Sequence, residues 1–289
     1  MADKPVPVHS VSDAFLVRPG DFDLGGTDPA ATPIGPRSKV EAAADAPVVG
    51  RELDRLQEAL YAEGSAGGGR SLLLVLQGMD TSGKGGTIRH VARLVNPQGL
   101  HIASFKRPTR AELRHDFLWR VRRQAPPPGR IGLFDRSHYE DVLIARVDRL
   151  VPRAEWRRRY RLINEFEAEL ADRGVTVVKC FLHLSAERQR KRLIARLENP
   201  RKRWKYTPDD VAARARFSEY QAAYQDALVE CSTPVAPWFV VPSDRKWYRN
   251  WVVTRLLLEA LCDLAPTYPE PSYDPAVELA RLRDADPLR

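Results

Sequence analysis

Short apolar runs recur along the chain, and longer stretches with helical spacing of their apolar residues separate them. Runs of this kind are typical of strands in a parallel sheet that is covered on both faces. They are "SLLLVLQ", "HIASF", "RIGLFD", "VTVVKCFLHL" and "APWFVVP", at residues 71–77, 101–105, 130–135, 175–184 and 236–242. Because strands that alternate with helices build parallel sheets with right-handed crossovers, the pattern predicts an α/β fold. We expect a three-layer α/β/α domain of the P-loop kinase type, with a parallel five-stranded sheet.

The stretches between the runs predict the helices. In "RELDRLQEALYAE", Leu53, Leu56 and Leu60 repeat at the spacing of one helix face. The other predicted helices lie at residues 111–124, 140–147, 153–174, 186–198, 207–230 and 247–261.

The first part of the chain differs from the rest in composition. Residues 18–38, "RPGDFDLGGTDPAATPIGPRS", are rich in proline and glycine and have no apolar period. We therefore divide the chain into an extended N-terminal arm, residues 1–45, and a P-loop kinase-like catalytic domain, residues 46–289. The arm either packs along the body or is disordered.

Composition and charge narrow the classes of partner. The chain has 289 residues, 43% of them hydrophobic, and a net charge of +8. No apolar run approaches the ~20 residues of a membrane span, and "MADKPVPVHSVSD" lacks the features of a signal peptide. We therefore expect a cytoplasmic protein without a membrane partner. Basic proteins tend to bind polyanions, although a generally arginine-rich composition would give the same charge.

A glycine-rich loop follows the first predicted strand. In "GMDTSGKGG", Gly78, Gly83, Lys84, Gly85 and Gly86 stand between a strand and a helix start, which is the context of a P-loop. Glycines let backbone amides turn towards phosphate oxygens, and the helix adds its positive N-terminal end. The alternative is an ordinary glycine-rich turn before a helix.

The loop departs from the usual pattern at the residue after the lysine. Gly85 stands where a Ser or Thr hydroxyl normally helps to hold Mg²⁺. Asp80 and Asp135 could supply carboxylate ligands instead, and Arg136 could contact the transferring phosphoryl group. Asp135 ends the third predicted strand, in the Walker B position. Hydroxyl groups that could assist the metal are those of Thr81, Ser82 and Thr87. The alternative for Asp80 is a turn or capping role.

Two basic stretches follow predicted strands. Residues 187–205 hold nine Arg or Lys against two Glu, and we expect a helical lid at about 186–208 that closes over phosphates. Arg188, Arg192 and Arg196 fall on one helix face, although a solvated basic helix would show the same pattern. The second stretch holds Lys106, Arg107, Arg110 and Arg114. His138, which follows "DRS", is predicted to have a packing or hydrogen-bonding role.

Five stretches resemble the second polyphosphate kinase family, the polyphosphate:nucleotide phosphotransferases. They are "QGMDTSGKGGTI", "FKRPTRAELRHDFLWR", "DRSHYEDVLIARV", "NPRKRWKYTPDD" and "STPVAPWFVVPSDRKWYRNW". The resemblance implies a homodimer or homotetramer with Mg²⁺, or alternatively Mn²⁺, as cofactor. "SHYED" is similar to the branch that phosphorylates AMP and often ADP, so Glu140 is expected to bear on the acceptor nucleotide. The active-site residues that the resemblance implies are Asp80, Lys84, Asp135, Arg136 and Arg196.

The sequence therefore predicts reversible phosphoryl transfer between inorganic polyphosphate and AMP or ADP. Lys106 and Arg192 are expected to join the glycine-rich loop in binding phosphate. Adenine nucleotides are the expected acceptors, with guanine nucleotides as an alternative, and no specific nucleic acid is expected as a partner. Two other functions share parts of the pattern: an ATP-dependent nucleotide or small-metabolite kinase, and a basic nucleic-acid-binding P-loop protein.

Overall fold

Five parallel strands form one sheet in the order β2-β3-β1-β4-β5. The structure is a computed structural model, and it describes residues 10–284. The strands are β1 Ser71–Gln77, β2 Leu100–Ser104, β3 Ile131–Asp135, β4 Val175–His183 and β5 Trp238–Pro242. All five predicted strands are confirmed, with ends that differ by at most two residues, because each is an apolar run bounded by loop residues.

Helices cover both faces of the sheet. The helices within residues 10–284 are α1 Ser10–Phe15, α2 Lys39–Ser65, α3 Lys84–Val91, α4 Trp119–Arg122, α5 Glu140–Val147, α6 Arg153–Asp172, α7 Ala186–Glu198, α8 Asp209–Ala215, α9 Phe217–Glu230, α10 Lys246–Leu264 and α11 Pro275–Asp284.

The central strand β1 shows why the fold has three layers. All seven of its residues are buried. Leu73 and Val75 pack into an apolar cluster with α5, α6 and α9, whereas Leu72, Leu74 and Leu76 pack into a second cluster with α2, α3 and α10. Since successive strand side chains point to opposite faces, one apolar strand serves two cores. The predicted α/β/α arrangement is confirmed.

The first long helix begins closer to the N-terminus than the sequence analysis predicted. Helix α2 begins at Lys39, and the hydroxyl of Ser38 accepts a hydrogen bond from the amide of Glu41. The helix prediction, which began at residue 51, was therefore too short at its start. The boundary placed between residues 45 and 46 lies inside α2. The cap and its glutamate form a local start signal that the proline-rich context obscured.

The described part of the arm packs along the body. Val11, Phe15, Val17 and Leu24 are buried, and the amide of Val17 donates a 2.8 Å hydrogen bond to the carbonyl of Trp238 in β5. Residues 1–9 of the predicted arm and residues 285–289 of the predicted catalytic domain lie outside the described residues.

Two stretches that were each predicted as one continuous helix are divided in the structure. Residues 111–124 form a 3-10 helix, Glu112–Arg114, and the short α4. Between them the Asp116 carboxylate accepts a hydrogen bond from the amide of Leu118, a local bond that competes with a helix. Residues 207–230 divide into α8 and α9 at Arg216, whose backbone angles of φ −103° and ψ 25° are not those of an α-helix.

The predicted lid corresponds to α7 followed by the 3-10 helix Pro200–Lys205. It leaves the carboxyl end of β4 and lies on the same side of the sheet as the glycine-rich loop. Within residues 10–284, no helix has both the length and the hydropathy that crossing a membrane requires.

Candidate active site

The loop between β1 and α3 has the backbone shape of a phosphate-binding loop. Gly78 and Gly83 have φ angles of +147° and +114°, which residues with a side chain rarely adopt. A Cβ atom at Gly78 would also lie 2.8 Å from the carbonyl oxygen of Leu182. Gly83 is the N-cap of α3, and the first amides of a helix lack partners within it. The loop therefore presents backbone donors where an anion would bind.

Lys84 lies folded over this loop. Its ammonium donates a 2.6 Å hydrogen bond to the carbonyl oxygen of Gly78, and the side chain is buried. Burial lowers the pKa of Lys84, and the neighbouring Arg136 guanidinium lowers it further. A phosphate group in the loop would give this ammonium an anionic partner in place of a neutral carbonyl.

Arg136 links the loop to the start of α5. Its guanidinium lies 2.9 Å from the Asp80 carboxylate and 3.5 Å from that of Glu140. Arg136 itself has a φ angle of +66°, an unusual value for a residue with a side chain. Glu140 raises the pKa of Arg136 more than Asp80 does, against the lowering effect of burial. Burial raises the pKa of Glu140, although Arg136 opposes this effect.

Asp135 lies beside Gly85, the loop position that differs from the usual P-loop pattern. It pairs in register with Leu76 of β1, and a Cβ atom at Gly85 would lie 3.7 Å from its Oδ2 atom. That separation is ordinary van der Waals contact, so the structure has room for a side chain at this position. Asp135 therefore lies beside the point where other P-loops present a metal-binding hydroxyl.

The donor set suits a hard cation that keeps part of its shell for substrate oxygens and water. In residues 10–284, no three His, Cys, Asp or Glu side chains are grouped to hold a metal ion by themselves. Mg²⁺ is usually held by one or two carboxylates together with substrate phosphates, so Asp80 and Asp135 fit it. The buried hydroxyls of Thr81, Ser82 and Thr87 have no hydrogen-bond partner within residues 10–284.

Of the three predicted lid arginines, Arg188 is exposed, and Arg192 and Arg196 have different partners. The Arg192 guanidinium donates to the carbonyls of Thr81 and Ser82 at 2.8 and 3.0 Å, so α7 is attached directly to the glycine-rich loop. Arg196 donates to the carbonyl of Lys205 at 2.9 Å and lies 3.3 Å from the Asp210 carboxylate. Burial and the charge of Asp80 raise the pKa of Asp210, so this pair lies within electrostatic reach of the loop.

The second basic stretch begins at the carboxyl end of β2. Lys106 is exposed, and its backbone carbonyl accepts a 2.7 Å hydrogen bond from the buried Arg120. The side chains of Arg107, Arg110 and Arg114 are also exposed. The structure therefore places this stretch at the same edge of the sheet as the glycine-rich loop, without bringing its side chains into the loop.

Two residues that the sequence analysis did not single out contact the loop. Arg249 of α10 donates a 3.0 Å hydrogen bond to the carbonyl of Ser82, and Gln189 of α7 donates to the carbonyl of Asp80 at 3.3 Å. Both lie in stretches noted above, the fifth family-like stretch and the basic lid, but each contact joins positions more than 100 residues apart. Only the three-dimensional structure brings them to the site.

A buried polar cluster lies behind the segment that carries Arg136. The Glu167 carboxylate accepts hydrogen bonds from Lys179 at 2.5 Å and from the Tyr139 hydroxyl at 2.9 Å. His138 Nε2 lies 3.1 Å from the same carboxylate, which confirms the predicted hydrogen-bonding role of His138. Burial alone would raise the pKa of Glu167, but Lys179 and His138 more than offset that effect. The pairing of Glu167 with Lys179 was not predicted from the sequence.

The fold and the loop together define the class of protein. In a parallel α/β sheet, ligands bind outside the carboxyl ends of the strands. Here that edge carries a glycine-rich loop with a buried lysine, Asp135 at the end of β3, and Arg136 paired with Asp80 of the loop. These are the parts with which P-loop phosphotransferases position and neutralise a phosphoryl group.

Comparisons with known proteins agree on one family. The profile of polyphosphate kinase 2 (PPK2) matches residues 37–267. An AMP/ADP-polyphosphate phosphotransferase of Meiothermus ruber is 49% identical over 89% of this chain and 95% of its own length. An ADP-polyphosphate phosphotransferase of Rhodopseudomonas palustris is 42% identical over 80% of this chain and 83% of its own. The crystal structure of polyphosphate kinase 2 from Arthrobacter aurescens TC1 superposes with a TM-score of 0.93, at 45% identity, covering 96% of this chain and 98% of that one. This chain belongs to the polyphosphate kinase 2 family, as the sequence motifs predicted.

Proposed function

We propose that this chain transfers the terminal phosphoryl group of inorganic polyphosphate to AMP and ADP, and that the reaction is reversible. The observation that carries the proposal is the alignment with nearly the full length of a relative named for both AMP and ADP, in a chain whose phosphate loop is intact. Because one phosphoanhydride replaces another, the equilibrium is close to balanced and concentrations set the direction.

The chemistry requires positioning and charge neutralisation more than covalent participation by the protein. Lys84 is expected to exchange its carbonyl partner for the oxygens of the transferring group. Arg136 is expected to contact the same group from the other side, held in place by Asp80 and Glu140. Transfer is then direct and in line, with no phosphorylated protein side chain.

Asp80 and Asp135 are the residues that would hold Mg²⁺, with Mn²⁺ as an alternative. Such a cation would neutralise negative charge on the phosphate groups. The Asp80 carboxylate, which contacts Arg136, would be one of the two protein ligands. The buried hydroxyls near the loop could complete the oxygen shell through water.

The basic lid supplies the remaining cations. A polyphosphate chain carries roughly one negative charge per phosphate, so several side chains must neutralise it, as several must for nucleic acids. We propose Arg196 as the lid residue that faces the transferring group, after it leaves Asp210. Lys106 is proposed to bind the chain from the β2 side. Adenine nucleotides as the preferred acceptors, a homodimer or homotetramer and a cytoplasmic location remain proposals.

The test is an assay with polyphosphate as the only phosphoryl donor. Purified protein with Mg²⁺ and polyphosphate should convert AMP to ADP and ADP to ATP, each followed by chromatography. The Asp135→Asn variant, expressed and purified in the same way, controls for contaminating kinases. Transfer from ATP to small metabolites with none from polyphosphate would favour an ATP-dependent kinase. Retention on nucleic acid without any transfer would favour a binding protein.

A further inference from the structure

Arg249, in the first turn of α10, reaches the back of the phosphate loop. It is only 3% exposed. Its Nη1 atom donates a 3.0 Å hydrogen bond to the carbonyl of Ser82. Its Nη2 atom donates a 2.7 Å bond to the side chain of Asn250. The guanidinium therefore has a fixed orientation against the loop.

The same guanidinium fills the space next to two loop glycines. A Cβ atom at Gly83 would lie 1.7 Å from Nη1 of Arg249, so a side chain at this position would require the guanidinium to move. A Cβ atom at Gly86 would lie 3.4 Å from Nη2. The glycines on either side of "KG" and Arg249 thus form one packing unit, although 163 positions separate Gly86 from Arg249 in the sequence. Glycine at position 83 permits the φ angle of +114° and also leaves space for the guanidinium in its present position.

Arg249 also brings a positive charge that no carboxylate balances. In residues 10–284, neither Arg249 nor Arg192 forms an ion pair, and both guanidiniums donate to the carbonyl of Ser82. Burial, together with the charge of Arg192, lowers the pKa of Arg249 to about 10. The group is therefore still charged at neutral pH. A buried cation without an anionic partner is costly, and a polyanion in the loop would offset that cost.

We propose that Arg249 is a positioning residue for polyphosphate: it holds the Ser82 carbonyl away from the loop interior and supplies a buried positive charge that the bound phosphate balances. The inference rests on the proposed function, since polyphosphate is the ligand concerned. The effect passes through the loop backbone, because the guanidinium lies behind the loop and not in it. Loss of its charge should therefore weaken polyphosphate binding more than it slows the transfer step.

Three variants of α10 separate charge from shape. Arg249→Gln keeps a donor for Ser82 and loses the charge, whereas Arg249→Lys keeps the charge. Arg255→Gln is the matched control, because Arg255 is also a buried arginine of α10 and lies against Trp251. Arg249→Gln should raise the KM for polyphosphate about tenfold, equivalent to about 1.4 kcal/mol, with kcat changed less than about threefold. Arg249→Lys and Arg255→Gln should stay within about threefold of the wild-type KM.

Melting temperatures with and without polyphosphate provide a second readout, independent of turnover. Arg249→Gln should keep or raise the melting temperature of the free protein and lose most of the increase that polyphosphate produces. An unchanged KM in Arg249→Gln beside an active wild type would overturn the inference and leave the function intact. Equal losses in the Gln and Lys variants, or failure of both to fold, would make Arg249 a packing residue only. No transfer by the wild type would instead refute the proposed function.

Discussion

Two groups of buried charges flank the segment that carries Arg136, and they are balanced in different ways. In the core cluster, Lys179 and Glu167 are both fully buried and neutralise each other. At the phosphate loop, Lys84, Arg192 and Arg249 donate to backbone carbonyls, and within residues 10–284 none of them forms an ion pair. The first group is complete within the chain, whereas under the proposed function bound phosphate would be the anionic partner of the second. We therefore expect the first cluster to hold the fold and the second to serve a ligand.

The largest effect expected from this comparison is on stability. Lys179→Met leaves Glu167 buried without its cation, so the free energy of unfolding should fall by about 3–5 kcal/mol. Lys191→Met is the control, because Lys191 forms an exposed pair with Glu187 and should change stability by less than about 1 kcal/mol. Urea unfolding measures both. Equal, small losses would mean that the core cluster does not hold the fold.

The next effect concerns the two carboxylates at the loop. Asp80→Asn and Asp135→Asn should each lower kcat about 10²-fold or more, equivalent to about 2.7 kcal/mol of transition-state stabilisation. The melting temperature of the free protein should change little, since these groups serve the metal and substrate. Steady-state rates at saturating Mg²⁺ provide the measurement. A variant with near-normal turnover would remove that carboxylate from the metal site.

A smaller effect is expected in the lid. Arg196→Ala should raise the KM for polyphosphate and lower kcat, because the proposal places this residue at the transferring group. Lys202→Ala should affect mostly KM and flatten the dependence of rate on salt, since it lies beyond α7. Initial rates against polyphosphate at several ionic strengths distinguish the two effects. If the rate curves of the wild type and both variants superimpose, the lid is a solvated basic helix without a role in binding polyphosphate.

The smallest effect is on the choice of acceptor. Glu140→Asn removes a carboxylate that lies 3.5 Å from Arg136, and the "SHYED" resemblance links this position to AMP. We expect the ratio of kcat/KM for AMP to that for ADP to fall in the variant. The two acceptors are compared in parallel at one polyphosphate concentration. An unchanged ratio would show that position 140 does not select the acceptor.

Local pattern was sufficient for most of the fold. The strand at 71–77 was predicted to the residue, because five consecutive apolar residues, flanked by Ser71 and Gln77 between a basic residue and a glycine, favour a buried strand. Residues 111–124 were wrongly predicted as one helix. The Asp116 carboxylate accepts a hydrogen bond from the amide of Leu118, and this local turn competes with a helix of similar propensity. Pattern is least reliable where short polar side chains compete with the backbone.

The site was predictable only where its residues are close together in a motif. Asp80 and Lys84 lie in one loop, and Asp135 with Arg136 ends one strand, so their convergence follows from parallel sheet topology. Arg249 meets Ser82 across 167 positions, and the pairing of Glu167 with Lys179 joins a helix to a strand across a buried interface. Such partners depend on packing geometry, which no period or spacing in the sequence encodes.

The most direct test of the central claim is calorimetric titration of polyphosphate into protein without nucleotide. The wild type, Lys84→Met and Arg281→Met should be compared at one ionic strength, since Arg281 is an exposed arginine of α11 that pairs with Glu278. If the loop cations await a phosphate partner, Lys84→Met should bind polyphosphate at least about tenfold more weakly, a loss of about 1.4 kcal/mol. Arg281→Met should bind as the wild type does. Equal affinity in all three proteins would contradict the claim that phosphate balances the buried charge at the loop.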